Sequence, residues 1–259
     1  MNLDKNYNMT TQNTYASDSG HWYTRDGSPC YEVPRAKGDG MRPATLRDAK
    51  KLDLVPSVSG ILKQIAKPGL EIWKTKQVMM SALTMPRNEG ESEEDFCNRI
   101  LEEGKEAGKI AAARGTELHT AIEHALHGLE TLGWEQHTAA VFNALREAGV
   151  DVEMGVAERS FAHPDGYGGR IDLYGPGFML DFKSKERIEP GKKLAWDEHC
   201  QQLASYEHGI GASGLRLLNV FVGVEDCQVV IHEWSQEEKD LALKKFLLLL
   251  DYWKLANLK

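Results

Sequence analysis

Cysteine is scarce in this chain: four among 259 residues, Cys30, Cys97, Cys200 and Cys227, far apart and with no CxxC pair. That spacing argues against a disulfide scaffold and fits buried structural thiols in a reducing cytoplasm, the expected location. Long apolar runs are missing as well. The longest near the C-terminus is Phe246–Leu250, against the roughly 18 residues that suggest a membrane span, so no membrane partner is expected. The polar opening from Met1 to Gly20 lacks the apolar core of a secretory signal. No GxxxxGK[ST] phosphate loop occurs, so a fused helicase motor is not expected, and unwinding would fall to another polypeptide. An excess of basic charge is absent too: 31 Lys and Arg face 39 Asp and Glu, a formal −8. That balance suits poorly a protein that coats nucleic acid through broad phosphate contacts. It leaves room for an enzyme with a local basic track and an acidic metal site.

What is present is the composition of a folded protein, 41% hydrophobic and 27% charged, with a length that suits one large domain or one domain with an appended subdomain. Three regions are expected. Residues 1–54 mix Asn, Thr, Ser, Gly, Pro and charge with little periodicity and read as a flexible or loosely packed arm. Residues 55–150 read as helical. Ser57 is positioned to cap a stretch with Val58, Ile61, Leu62 and Ile65 on one stripe; a second helix carries Leu70, Trp73, Val78 and Met79. Helical periodicity then runs from Ser92 through Ile100, Leu118 and Leu126, where Gly104, Gly108 and Gly115 allow bends or close helix contact. Another helix is expected over Trp134–Ala148. Residues 151–259 change period: strands over Val152–Phe161, Gly169–Tyr174 and Phe178–Phe182, a helix over Trp196–Ile210, strands over Leu215–Val224 and Gln228–Trp234, and a last helix opened by the Ser235/Glu238 capping box. The order predicts an α/β core with a central mixed sheet flanked by helices.

Charge is unevenly spread. Arg35 to Lys76 holds ten Lys/Arg against four Asp/Glu, a local +6; Glu89 to Glu106 holds eight acids against two bases, a local −6. The first reads as a phosphate track or a solvated helical face, the second as a face turned away from phosphate. Lys183 to Lys193 carries five bases and two Glu. Lys74, Lys185 and Arg187 are candidate DNA contacts on this basis. Trp73, with Trp22, Tyr23 and Tyr31, is either a base-stacking platform or ordinary packing.

The strongest local chemistry lies in Gly168-Gly169-Arg170-Ile171-Asp172-Leu173-Tyr174 and Phe178-Met179-Leu180-Asp181-Phe182-Lys183. Asp172 sits among apolar residues of a short strand, and Asp181 and Lys183, two apart, point to the same strand face. Ionisable groups beside a hydrophobic sheet need pairing, water or metal. Two carboxylates can hold a hard divalent cation, and an amine beside them can offset charge on a phosphate. The same residues also read as a hairpin ion pair. His119 alone reads as a core histidine or as an imidazole ligand, with Glu123 one turn further either orienting that helix or pairing with Arg114. His119, His124 and His127 do not give HExxH spacing.

In order along the chain these residues resemble the PD-(D/E)xK nuclease superfamily: Asp172 followed by Asp181-Phe182-Lys183 matches its signature. Arg114-Gly115-Thr116-Glu117-Leu118-His119 is similar to the helical histidine motif of the RecB-like exonuclease branch, and Gln202-Leu203-Ala204-Ser205-Tyr206 to its QxxxY motif. Pro56-Ser57-Val58-Ser59-Gly60-Ile61-Leu62 and Trp73-Lys74 resemble the opening of mitochondrial genome maintenance exonucleases and related phage nucleases.

The resemblance implies a restriction-endonuclease-like core with metal held by His119, Asp172, Asp181 and the Phe182 main-chain carbonyl, and Lys183 as the catalytic lysine. Glu158 matches an assisting strand acid, and Gln202 and Tyr206 match a pair that organises the site and its DNA contacts. The implied cofactor is Mg²⁺ or Mn²⁺. Iron–sulfur members carry grouped cysteines that this chain lacks, so no Fe–S cluster is expected. The implied activity is metal-dependent exonucleolytic hydrolysis of DNA that is single-stranded or has free ends, with a helicase, recombinase or single-strand-binding protein as possible partner. A double-strand-specific recombination exonuclease, a structure-selective endonuclease and a catalytically weak DNA-binding module are the alternatives.

Overall fold

The computed structural model describes residues 21–258; the first part of the expected arm, and the stretch read for a secretory signal, lie outside the described residues. From His21 the chain forms β1 (Trp22–Tyr23), a hairpin of β2 (Glu32–Pro34) and β3 (Met41–Pro43), α1 (Leu46–Leu52) and β4 (Val55–Pro56). Although these elements are too short to show a period in sequence, Trp22, Tyr23, Val33 and Val55 are buried. β1 pairs antiparallel with β4, Trp22 opposite Pro56. Trp22 packs edge-on against Trp253 at 6.1 Å and donates its indole N–H to the Ala44 carbonyl at 3.2 Å. Tyr23 is 2% exposed, so neither Trp22 nor Tyr23 offers an open stacking surface.

The helical region follows. Ser57 caps α2 (Val58–Leu62), accepting the Gly60 N–H at 3.0 Å. Pro68 opens α3 (Pro68–Thr84), where a missing N–H costs nothing. Ser92 caps α4 (Glu93–Leu126) by accepting the Asp95 N–H. This helix runs 34 residues without a break through Gly104, Gly108 and Gly115. The glycines mark close approach. A β-carbon at Gly104 would lie 2.7 Å from Val78 Cγ2 and 3.1 Å from its Cα, and one at Gly115 would lie 2.6 Å from Ser184 Oγ. A propensity cost of about 1 kcal/mol per glycine is thus set against tight contact of α4 with α3 and with the sheet. Next come α5 (Glu135–Glu147) and a 3₁₀ turn over Val152–Met154. Asp151 accepts the Glu153 N–H there, so the chain is still turning where the apolar alternation predicted a strand.

The sheet is built from β5 (Val156–His163), β6 (Tyr167–Gly175), β7 (Phe178–Lys185), β8 (Arg216–Gly223) and β9 (Val229–Glu233), with α6 (Asp197–Gly209) between β7 and β8 and α7 (Gln236–Asn257) closing the chain. Strand order follows chain order; β7 and β8 are parallel and every other neighbouring pair is antiparallel. The central strands are covered on both faces, which is why β8 reads almost continuously apolar. On one face the core gathers Ile61, Leu203, Phe221 and Phe246, from α2, α6, β8 and α7; on the other, Leu118, Val141, Leu180 and Val220, from α4, α5, β7 and β8. The result is the expected α/β architecture, a central five-stranded mixed sheet flanked by helices. Among the described residues no helix is long and apolar enough to cross a membrane.

Gly104→Val should therefore force α3 away from α4. Overpacking of this kind costs about 1–3 kcal/mol, which a urea titration should register as a lower midpoint with an unchanged slope.

Candidate active site

Register aligns polar residues across four strands. The β6–β7 ladder pairs Leu173 with Leu180, Tyr174 with Met179 and Gly175 with Phe178, which sets Asp172 across from Asp181 one step beyond. On the other side, Ala157 pairs with Leu173 and Arg159 with Ile171, which sets Glu158 across from Asp172. Asp181 pairs with Asn219 on β8. Beyond Leu173 the Asp172 side chain takes over from the backbone: its Oδ2 accepts the Phe182 N–H at 2.8 Å. The strands therefore part at the carboxylates while remaining joined through one of them.

Asp181 is 2% exposed. Its Oδ1 accepts from Lys183 Nζ and from Gln202 Nε2, each at 2.8 Å. Its Oδ2 accepts from Asn219 Nδ2 at 2.8 Å and lies 2.7 Å from Lys183 Nζ. Burial pushes the carboxyl upward from its ordinary pKa, opposed by the Lys183 ammonium and reinforced by Asp172. The donor contacts on both oxygens fit an ionised carboxylate, which can only accept. Lys183 also donates to Gln202 Oε1 at 3.1 Å, and Gln202 Nε2 donates to the Tyr206 hydroxyl at 3.1 Å. Four residues singled out in the sequence, Asp181, Lys183, Gln202 and Tyr206, thus form one connected network. Burial drives the Tyr206 phenol upward, so it stays protonated.

His119 reaches over from α4. Its Nδ1 lies 3.8 Å from Asp172 Oδ2, and its ring meets the Phe182 ring edge-on at 6.3 Å. Two donors on one cation span up to roughly 4 Å when each bond is about 2.1 Å. The donor set, two carboxylates and an imidazole with an amine beside them, is one that can hold a divalent cation. Side-chain exposure rises from 3% at Asp181 through 19% at Asp172 to 38% at His119, so the group opens to solvent on the His119 side.

Glu158 adopts a left-handed φ of 54° inside β5, a conformation that costs a non-glycine residue about 1–3 kcal/mol. Its carboxylate lies 2.5 Å from Arg170 Nε. Burial nevertheless pushes Glu158 up to about 8; Arg170 opposes the shift, while Asp172 and Glu123 add to it. The candidate DNA contacts have partners within the chain. Lys74 pairs with Glu71 at 2.9 Å on the surface of α3, and Arg187 with Glu225 at 3.3 Å. Trp73 is half-buried, its ring facing Gly108 of α4. Lys185, two residues beyond Lys183, lies over the Phe221 ring at 5.6 Å.

Sequence reasoning missed two features. Asn219 is fully buried and passes the network on: its Oδ1 accepts the Trp234 indole N–H at 2.7 Å. A single amide in the apolar run Leu217-Leu218-Asn219-Val220-Phe221 was the available signal. The second is a cluster suited to metal coordination at the far end of β5 and α6. There His163, Asp165 and His208 each bring one potential ligand atom within 4.8 Å of the others. Its signal was the local His163-Pro164-Asp165, but His208 lies too far along the chain for spacing to reveal.

The Glu158 shift carries a pH signature. A carboxyl whose folded pKa is raised binds its proton more tightly in the folded state, so its contribution is fully present below about 4.5 and declines as pH rises to about 8. In chelator-treated protein, Glu158→Gln should flatten that part of the pH–stability profile, read by denaturant unfolding at pH 5, 6.5 and 8. An unchanged slope would show that Glu158 is ionised throughout this range.

No protein-family model matches the chain, and no curated protein matches it. Solved structures that resemble it distantly include the following two. The crystal structure of SSO0001 is 15% identical, over 70% of this chain and 86% of that one, with a TM-score of 0.31. An alkaline exonuclease from Laribacter hongkongensis is 17% identical, over 72% of this chain and 97% of that one, with a TM-score of 0.32.

Proposed function

We propose that this chain is a divalent-metal-dependent deoxyribonuclease that hydrolyses phosphodiester bonds as an exonuclease on single-stranded or end-processed DNA. The observation that carries the proposal is the gathering of Asp172, Asp181 and Lys183 at the parting of β6 and β7, with the amine on the buried carboxylate. His119, Asp172, Asp181 and the Phe182 carbonyl would hold Mg²⁺ or Mn²⁺. When bound, such an ion polarises a phosphoryl oxygen and lowers the pKa of water.

The remaining chemistry belongs to the chain. Lys183 offers a positive charge beside the site of transfer, where it can orient a nucleophile and offset charge growing on phosphate. Gln202 fixes the amine and the carboxylate in mutual position, accepting from one and donating to the other. Tyr206, kept neutral, holds Gln202 by accepting its second N–H. Asp181 is deep and Asp172 shallow, so phosphate would enter past Asp172 and His119. The exonuclease assignment draws on the resemblance of Gln202 through Tyr206 to the QxxxY motif. Partner proteins that unwind, coat or recombine DNA belong to the same proposal.

Matched linear single-stranded, blunt duplex and circular DNA, each with Mg²⁺, Mn²⁺ or chelator, provide the test. Shortening of linear single strands with circles left intact is expected, stopping on chelation. Duplex-only shortening or cutting of circles would favour the double-strand exonuclease or the endonuclease instead. Lys183→Ala should slow single-turnover cleavage by about 10²–10³-fold and leave DNA affinity nearly unchanged. Tight DNA binding with no cleavage in any metal would overturn the enzyme assignment.

A further inference from the structure

We propose that His163, Asp165 and His208 form a second cation site, separate from the carboxylate–lysine centre, which takes a borderline divalent ion such as Zn²⁺ and ties the C-terminal end of α6 to the β5–β6 turn. His163 ends β5, Asp165 lies in the turn and His208 lies in the last turn of α6. At about 3.3 Å per residue, the five residues from Glu158 to His163 place this cluster roughly 16 Å along the strand from the first site.

The donors suit zinc. Two imidazoles and one carboxylate, completed by water, make a tetrahedral site, whereas Mg²⁺ favours oxygen-rich coordination. His163 Nδ1 and Asp165 Oδ2 stand 3.4 Å apart, the edge of a tetrahedron with bonds of about 2.1 Å. The Asp165 amide, 3.2 Å from the same nitrogen, makes the contact a cation would displace. The two imidazole centroids are 4.6 Å apart.

A supporting shell is in place as well. The Tyr167 hydroxyl donates to the Ser205 carbonyl at 3.2 Å and lies 2.6 Å from His208 Nδ1. Use of that hydrogen on Ser205 corresponds to the tautomer in which His208 Nδ1–H donates to the phenol oxygen and the Nε2 lone pair is open to a cation. A hydrogen bond on the far nitrogen is the usual way a ligand histidine is held in tautomer and orientation. Two cations stand nearby: Lys254, 3.9 Å from Asp251 and close enough to act on His163, and Arg25, which pairs with Asp53 at 2.9 Å. Asp165 is 52% exposed at its side chain, which gives an ion and its water access from solvent.

Bound there, Zn²⁺ would brace the helix that carries Gln202 and Tyr206 against the hairpin that carries Glu158 and Asp172. The test uses chelator-stripped full-length protein titrated with Zn²⁺ in excess Mg²⁺, with stoichiometry from equilibrium dialysis and geometry from the visible spectrum of a parallel Co²⁺ titration. Wild type and His119→Gln, which removes the imidazole of the first site, should each take one Zn²⁺, give a tetrahedral Co²⁺ spectrum and melt higher with Zn²⁺. His163→Gln, His208→Gln and Asp165→Asn should each lose about tenfold or more in affinity, together with the Co²⁺ spectrum. Circular dichroism reports folding, and Asp165→Asn at the exposed turn keeps the test decisive if a histidine variant misfolds. No uptake by wild type, equal uptake by folded Asp165→Asn and histidine variants, or loss in His119→Gln would each overturn the second site. Every readout is metal binding, so an inactive nuclease site would leave this result intact.

Discussion

A carboxylate moved out of water costs several kcal/mol even after the protein relaxes around it. At 2% exposure Asp181 incurs that cost, and the structure around it is arranged to offset it. Each donor comes from a different place: Lys183 from the same strand, Gln202 from α6, Asn219 from β8. Because each bond has a short reach, together they fix how far α6 may slide over the sheet and which residue of β8 stands beside β7. Asn219 then carries the constraint to Trp234 beyond β9. Removing one partner would leave a buried charge underpaired, so the network holds its geometry as a unit.

The buried end of the site is therefore rigid and the other end less so. Asp172 bridges the parted strands through a single N–H, and His119 stands 3.8 Å off, outside hydrogen-bond range. Glu158 adds a third acid in register with the other two and holds a left-handed backbone inside a strand. Like charges aligned in this way oppose one another until something positive enters. Within the sheet that positive charge comes from Lys183 on one side and Arg170 on the other. The same field that makes the folded protein uneasy at high pH makes the cleft receptive to a cation.

Much of this could be read from sequence because it depends on local rules. Serine at 57, 92 and 235 announced three helix starts, and each serine accepts the N–H three residues on. The two-residue spacing of Asp181 and Lys183 set both on one strand face, where they meet. The packing of the N-terminal segment was not legible. β1 and β4 are two residues each, too short for alternation, and burial of Trp22 depends on Trp253 at the other end of the chain. The α4 glycines suggested either bends or contact; the helix is continuous through them, with Val78 close against Gly104 and Ser184 against Gly115. Asn219 and His208 escaped notice for a related reason: their partners lie on other elements, and only the folded sheet brings them near.

Gly168 and Gly169 show how far packing decides chemistry here. A β-carbon at Gly169 would lie 2.6 Å from the Tyr206 ring, and one at Gly168 would lie 2.9 Å from Tyr23. The bare backbone lets α6 settle on β6 from one direction and the N-terminal segment from another. With α6 at that depth, the Tyr206 ring packs edge-on against Phe161 at 5.5 Å and its hydroxyl meets Gln202. Gln202 then reaches Asp181 and Lys183 at once. A side chain at Gly169 would act at a distance, lifting the helix and drawing the amide off the carboxylate, whereas one at Gly168 would press on Tyr23 and the Phe161 backbone. Gly169 thus contributes to the site by what it lacks, since the amide–carboxylate contact is only as close as the helix–strand contact beneath it.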